Sequence, residues 1–245
     1  MQRATPLMID ETYHVFNRGA HKQPIFLEDL DYLRFQTLLF LSNSSAPVVV
    51  RDVLKRYKGE SFVRLFENEK REAPLVDILA YSLMPNHFHL VLRPIVENGV
   101  SVFMRKLGTA YSMYFNLQHE HSGTLFQGPF KSSHIDTDPY HTWIFAYTHL
   151  NPVSLIAPKW QEHGVENIAA AQHFLANYRY SSYFDYYTAE RPERATLAYE
   201  EAIHYIDKKD GIESLLADYS RGEALHSELV TTEHAASGAS AAVGA

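Results

Sequence analysis

The run Tyr13-His-Val-Phe-Asn-Arg18, in which His14 and Val15 alternate with the period of a half-buried strand, reads as a short strand closed by Gly19. Apolar residues then recur at 32, 35, 38, 39 and 41, behind acids at 28, 29 and 31, which is the pattern of an amphipathic helix ended by Asn43-Ser-Ser-Ala-Pro47. Two strand-like runs follow, Val76 to Met84 and His87 to Leu92, separated only by Pro85-Asn86 and so read as an antiparallel hairpin. Positions 100, 103, 104, 107, 111, 114 and 115 mark a long amphipathic helix. The stretch 123–135 reads as extended and broken by glycine. A further helix is capped by Asp138, with Pro139 at its first position, and stops at Asn151-Pro152.

This order predicts an α+β fold: an antiparallel sheet with packed helices, plus a helical C-terminal extension. The expected organisation is a catalytic domain over 1–160 interrupted by a charged insertion at 44–74. A helical, acidic extension follows over 161–222, and a low-complexity, disordered tail over 223–245. Helices are expected at 168–177 and 198–208, with an aromatic patch at 177–187 between them.

Composition narrows the chemistry. The 245 residues contain no cysteine, which excludes disulfides, thiolate zinc sites, iron–sulfur clusters and a cysteine nucleophile. No apolar run is long enough to span a membrane and the first residues lack a signal pattern, so a cytoplasmic protein without membrane contact is expected. The formal charge of −7 argues against a nucleic-acid partner until it is divided along the chain. Residues 1–160 hold 16 basic and 15 acidic side chains, whereas residues 161–245 hold 6 and 14. The body is near neutral, and the acidic excess belongs to the last third.

Phosphate-loop, dinucleotide, zinc-peptidase and nucleophile-elbow motifs are all missing. What remains is His87-Phe88-His89. On a strand the two imidazoles project from one face and converge on one ion, while Phe88 points away. A tyrosine and an amide four residues apart on a helix also share a face. Three such pairs exist: Tyr32 with Gln36, Tyr114 with Gln118, and Tyr147 with Asn151. Spacing alone does not choose among them, and positions 140, 143, 144, 147 and 150 also read as an apolar stripe.

The stretch Leu83-Met-Pro-Asn-His-Phe-His-Leu-Val-Leu92 resembles the histidine motif of single-tyrosine HUH transposases. Further blocks match in order: Tyr13-His-Val-Phe-Asn-Arg-Gly19, Gly123-Thr-Leu-Phe-Gln-Gly-Pro-Phe-Lys-Ser132, Tyr147-Thr-His-Leu-Asn-Pro-Val153 and the short Ser181-Ser-Tyr183. The set is similar to the REP-associated tyrosine transposases and runs from about residue 13 to 187. The resemblance implies a ferredoxin-like, RRM-like HUH domain. It implies Tyr147 as the nucleophile and His87, His89 and Asn151 as ligands of a divalent metal, Mg²⁺ with Mn²⁺ as a substitute. It leaves out Tyr32, which precedes the histidines, and Tyr114, whose helix carries no nucleophile in that family.

The implied reaction is cleavage and rejoining of single-stranded, hairpin DNA through a 5′-phosphotyrosine, with the protein acting as monomer or homodimer. Candidate DNA contacts are Arg18, Lys22, Lys55, Arg56, Arg105, Lys106 and Lys131, with Phe126 stacking on an unpaired base. Pro129, Ala146 and Ser154-Leu-Ile156 stand where the family often has basic residues, which removes phosphate contacts without touching the proposed chemistry. The competing readings are a domesticated hairpin-binding protein that does not cut, a rolling-circle HUH endonuclease, and a phosphodiesterase using water. A rolling-circle enzyme typically has Lys four residues after its tyrosine, where this chain has Asn151.

Overall fold

The alternation at the start of the chain becomes a central strand. In the computed structural model, which describes residues 7–57, 63–69, 73–206 and 211–221, β1 (Thr12–Arg18) lies between β3 (His87–Pro94) and β4 (Lys131–Ile135), antiparallel to both. The hairpin partner β2 (Val76–Met84) pairs with the far side of β3. The sheet order is therefore β2-β3-β1-β4, all neighbours antiparallel. With α1 (Asp29–Ser42) between β1 and β2, and α4 (Gly99–Gln118) between β3 and β4, this is the split β-α-β arrangement of the ferredoxin-like fold.

Register decides which side chains meet. Phe16 stands opposite His89, Arg18 opposite His87, and His14 opposite Val91. Because side chains alternate, His14, Phe16, Arg18, His87 and His89 share one face of the sheet. The other face presents Val15, Phe88 and Leu90 to α1 and α4, where Phe35 packs 5.1 Å from Phe88 and edge-on to Tyr111. α1 starts in a capping box between Glu28 and Asp31. The histidine face is covered by α5 (Asp138–Leu150). Thr137 rather than Asp138 takes the cap position, so Pro139 falls one residue deeper in the first turn.

Residues 44–74, expected as a charged insertion, contain α2 (Val50–Arg56) and α3 (Val63–Asn68). Their buried Val53, Leu65 and Phe66 form a small cluster with Phe40 and Leu41 of α1. Among the described residues the charged side chains stay outside this cluster, with Arg56 paired to Glu69 at 2.7 Å.

The chain beyond residue 160 is bound to the sheet more closely than its weak periodicity suggests. β2 is an edge strand, and an uncovered edge is a template for unwanted pairing. Here the downstream segment covers it: Leu83 N–H donates to Tyr180, Ser182 N–H to Tyr81, and Ala198 N–H to Ile78. Tyr186, Leu197, Ala202 and Ile206 enter the principal core. The helices α6 (Trp160–His163), α7 (Ile168–Asn177) and α8 (Tyr183–Tyr187) and the helical residues 211–221 build a second cluster on the outer side of α5, around Leu150, Trp160, Leu175 and Tyr219. α5 is thus clamped between sheet and C-terminal helices. Of the helix expected over 198–208, the described residues hold α9 (Tyr199–Ala202) followed by one tighter turn, and 207–208 lie outside them. The expected disordered tail, 223–245, lies outside the described residues.

Candidate active site

The hairpin turn sets the mouth of the site. Gly19 N–H donates to the Asn86 carbonyl, and Ile25 and Phe26 N–H both donate to Pro85, so the β1 exit loop holds the β2–β3 turn in place. A Cβ on Gly19 would come within 2.1 Å of the Gln23 carbonyl oxygen. Gly19→Ala is accordingly expected to push this loop off the turn and destabilise the fold by about 1–3 kcal/mol, the range for overpacking. A urea denaturation midpoint equal to that of the unaltered protein would contradict it.

Beside the turn, Asn86 Oδ1 lies 2.7 Å from His87 Nδ1 and orients that ring. Across the sheet, His89 Nδ1 lies 2.8 Å from His14 Nε2. His89 Nε2 is buried with no hydrogen-bond partner. From α5, Tyr147 places its ring edge-on to His89 with centroids 5.2 Å apart and stacks on Trp143 at 5.3 Å. Asn151, the residue ending α5, directs its side chain to both the Tyr147 hydroxyl and His87. His87, His89, Tyr147 and Asn151 therefore converge in one place.

The rival pairs lie elsewhere. Tyr32 stacks between Phe26 and Tyr180, and Gln36 donates to the Tyr81 hydroxyl and the Arg179 carbonyl. Tyr114 donates to Asp31 on the opposite face of the sheet. Both pairs are engaged in holding the fold.

Burial controls the protonation of the site. Desolvation lowers the His87 pKa, opposed by the Asn151 hydrogen bond and assisted by the nearby Arg18 charge. It lowers His89 well below 6.5, with His14 and His87 adding to the effect. Both imidazoles are neutral at pH 7, the form that ligates metals. Desolvation raises the Tyr147 pKa while the Asn151 hydrogen bond lowers it, so the phenol is protonated at neutral pH.

The cleft in front of these groups has a volume of about 640 Å³, and its walls include Asn17, Arg18, Gln127 and Lys131. Arg18 is exposed and donates to Gln127 Oε1 at 2.7 Å, and Lys131 begins β4. Lys22 is exposed on the loop whose carbonyl accepts from Asn86. Phe126 and Arg105 line an adjoining groove of about 610 Å³ that shares Asn17, Gly128 and Pro129 with the cleft. Lys55 and Arg56 stand on α2, away from the cleft walls. Lys106 points its ammonium at the Ser44 and Ala46 carbonyls, where it ties α4 to the α1 exit. Sequence reasoning passed over His14, Asn17 and Gln127. For His14 the signal was present as parity with Phe16 and Arg18, but only the strand register brings it to His89.

The donor set suits a divalent cation: one amide oxygen and two neutral imidazoles, of which His89 has its buried Nε2 without a hydrogen-bond partner. Among the described residues, Glu28, Asp31 and His119 also bring ligand atoms within 4.8 Å of one another. The Asp31 oxygens there already accept from the Leu27 and Glu28 N–H groups, the Tyr114 hydroxyl and His119. That carboxylate is saturated as a helix cap.

Residues 48–150 match the family described as IS200-like transposases. The matched region contains the histidine pair and Tyr147, while His14, Arg18 and Asn151 fall outside it. Two solved structures are similar to this chain. One is a REP-associated tyrosine transposase bound to a REP hairpin, at 12% identity over 76% of this chain and 84% of that one, with a TM-score of 0.44. The other is a candidate transposase from Deinococcus radiodurans R1, at 12% identity over 67% and 98%, with a TM-score of 0.31. Comparison with curated proteins finds no match. No helix among the described residues is long and apolar enough to cross a membrane.

Proposed function

We propose that the cleft cuts and rejoins single-stranded DNA beside a hairpin, through a covalent bond between Tyr147 and a 5′-phosphate. The observation that carries this reading is the convergence of one phenol, two neutral imidazoles and one amide, with the His89 Nε2 lone pair left without a protein partner. The nucleophile and the three ligand groups of this reading all come from one chain, and the reading fits a monomer or a homodimer.

In the first step Tyr147 Oη attacks a backbone phosphorus, its proton passes to solvent, and the bond from phosphorus to the 3′-oxygen breaks. The leaving oxygen takes up a proton as a free 3′-hydroxyl. A second 3′-hydroxyl reverses the step and releases the tyrosine, so the bond energy is kept and no nucleotide is hydrolysed. A divalent cation, Mg²⁺ with Mn²⁺ as substitute, held by His87, His89 and Asn151, would polarise the non-bridging phosphate oxygens and ease departure of the 3′-oxygen. Asn151 also hydrogen-bonds the Tyr147 hydroxyl, opposing the burial that keeps the phenol protonated. Arg18, held by Gln127, and Lys131 provide positive charge along the cleft for the DNA backbone.

The test is a suicide oligonucleotide: a hairpin with a nicked single-stranded flank, incubated with the protein and Mn²⁺ and resolved under denaturing conditions. A protein–DNA species that survives denaturation supports the reading. Turnover without such a species supports water as nucleophile. Hairpin binding with neither outcome supports a non-cleaving DNA-binding protein.

A further inference from the structure

His14 lies on β1, diagonal to His89 on the same face of the sheet, with only 7% of its surface exposed. The two rings stack at 5.0 Å, and Phe16 stacks on His14 from the other neighbouring position, also at 5.0 Å. Between His14 Nε2 and His89 Nδ1, 2.8 Å apart, a single proton is shared. Burial keeps both rings neutral, the His14 pKa being lowered to about 4.

Only two arrangements satisfy that contact. If His14 Nε2 carries the proton, His89 must carry its own on Nε2, where the structure offers it no acceptor. A buried donor left unpaired costs about 1–3 kcal/mol. If His89 Nδ1 carries the proton and donates it to His14, His89 Nε2 is left as a bare lone pair facing the site. That is the ligating form of histidine, fixed by the bond that the other ring nitrogen makes.

We infer that His14 is a positioning residue that accepts the Nδ1–H of His89 and thereby holds His89 in the tautomer whose Nε2 ligates a divalent cation. The inference rests on the cation site proposed above. It gives β1, which lies outside the transposase-matching region, a part in the site: the strand orients one ligand through a ring-to-ring bond. On the other ligand, Asn86 has the corresponding place beside His87 Nδ1. His14 is absent from the cleft walls, although its ring also stands edge-on to Tyr147 with centroids 6.0 Å apart, so its part here is to orient His89.

The experiment uses the full chain without DNA and Mn²⁺ alone as the probe, read by electron paramagnetic resonance titration. Imidazole ¹⁵N shifts report the His89 tautomer, and a thermal melt reports folding. His14→Leu keeps volume but removes the acceptor, whereas His14→Gln puts an amide oxygen near the position of Nε2. The expected result is a loss of about 10–100-fold in Mn²⁺ affinity for His14→Leu, in the range typical of groups that orient metal ligands. The His89 proton should move to Nε2 in that variant, and His14→Gln should recover most of the affinity.

A folded His14→Leu with unchanged Mn²⁺ affinity and unchanged ¹⁵N shifts overturns the inference. Should His14→Leu not fold, the unaltered protein decides, because a His89 proton on Nε2 there overturns it equally. A Mn²⁺ difference together with no covalent DNA adduct keeps this inference and removes the phosphotyrosine reading. An adduct with equal Mn²⁺ affinities does the reverse. No Mn²⁺ binding by the unaltered protein removes both the cation site and the inference.

Discussion

Tyr147→Phe is expected to lose the covalent DNA adduct by about 10⁴-fold or more, the scale seen when an enzyme loses its nucleophile. Binding of Mn²⁺ and of hairpin DNA should stay close to that of the unaltered protein. The phenylalanine ring keeps the stack on Trp143 and the edge contact to His89, so the cleft retains its shape. What disappears is one oxygen and its hydrogen bond with Asn151. The comparison is informative because three helical tyrosines share the same spacing to an amide, and of these only Tyr147 faces the histidines. Tyr32→Phe and Tyr114→Phe should leave adduct formation intact. Adduct formation by Tyr147→Phe would contradict the assignment of the nucleophile.

The second large effect concerns stability. Arg191 is buried and makes a two-pronged ion pair with Asp185, at 2.8 and 2.7 Å. The same guanidinium donates to the Arg179 and Ser181 carbonyls and to the Tyr81 hydroxyl on β2. Gln36 of α1 joins this network through Tyr81 and Arg179. One side chain thereby fastens the segment covering the β2 edge to the sheet. Arg191→Leu strands the Asp185 carboxylate in the interior, and breaking a buried pair from one side costs about 3–5 kcal/mol. At roughly 2–4 °C per kcal/mol for a protein of this size, Tm should fall by about 6–20 °C. The double variant Arg191→Leu with Asp185→Leu should recover part of the loss, since no charge is then left unpaired. A melting curve for Arg191→Leu that coincides with that of the unaltered protein would contradict this account.

That network also bears on the acidic C-terminal third. The charge division along the chain sets an acidic last third apart from a near-neutral body. In the structure, residues 191–206 supply Arg191, Leu197, Ala202 and Ile206 to the interior. A truncation before Arg191 would therefore report on folding before it reported on DNA affinity. The acidic side chains are better examined by charge-neutralising substitutions at exposed Glu200 and Glu190.

The parts of the fold that were legible in sequence are those whose own side chains repeat with the period of their element. β1, the β2–β3 hairpin, α1, α4 and α5 all follow apolar spacing, because each buries a face against the core. β4 did not stand out from the extended stretch around it. Lys131-Ser-Ser-His-Ile135 has a single apolar residue, and its identity as a strand comes from pairing with β1. The cover on the β2 edge was equally hidden, since it is made by backbone N–H groups that any sequence carries. Within the site, the His-Phe-His spacing was visible and the choice of tyrosine was not. That choice depends on which helix crosses the histidine face, a property of topology rather than of spacing. His14 required the strand register, because a shift by one residue would place it on the opposite face.

The most direct measurement is the identity of the residue joined to DNA. The protein is incubated with a nicked hairpin oligonucleotide and Mn²⁺, the covalent species is digested, and the modified peptide is sequenced by mass spectrometry. The account predicts a single phosphotyrosine linkage at Tyr147, to the 5′ side of the cleaved strand. A linkage at any other residue, or DNA cleavage that leaves no residue modified, would contradict it.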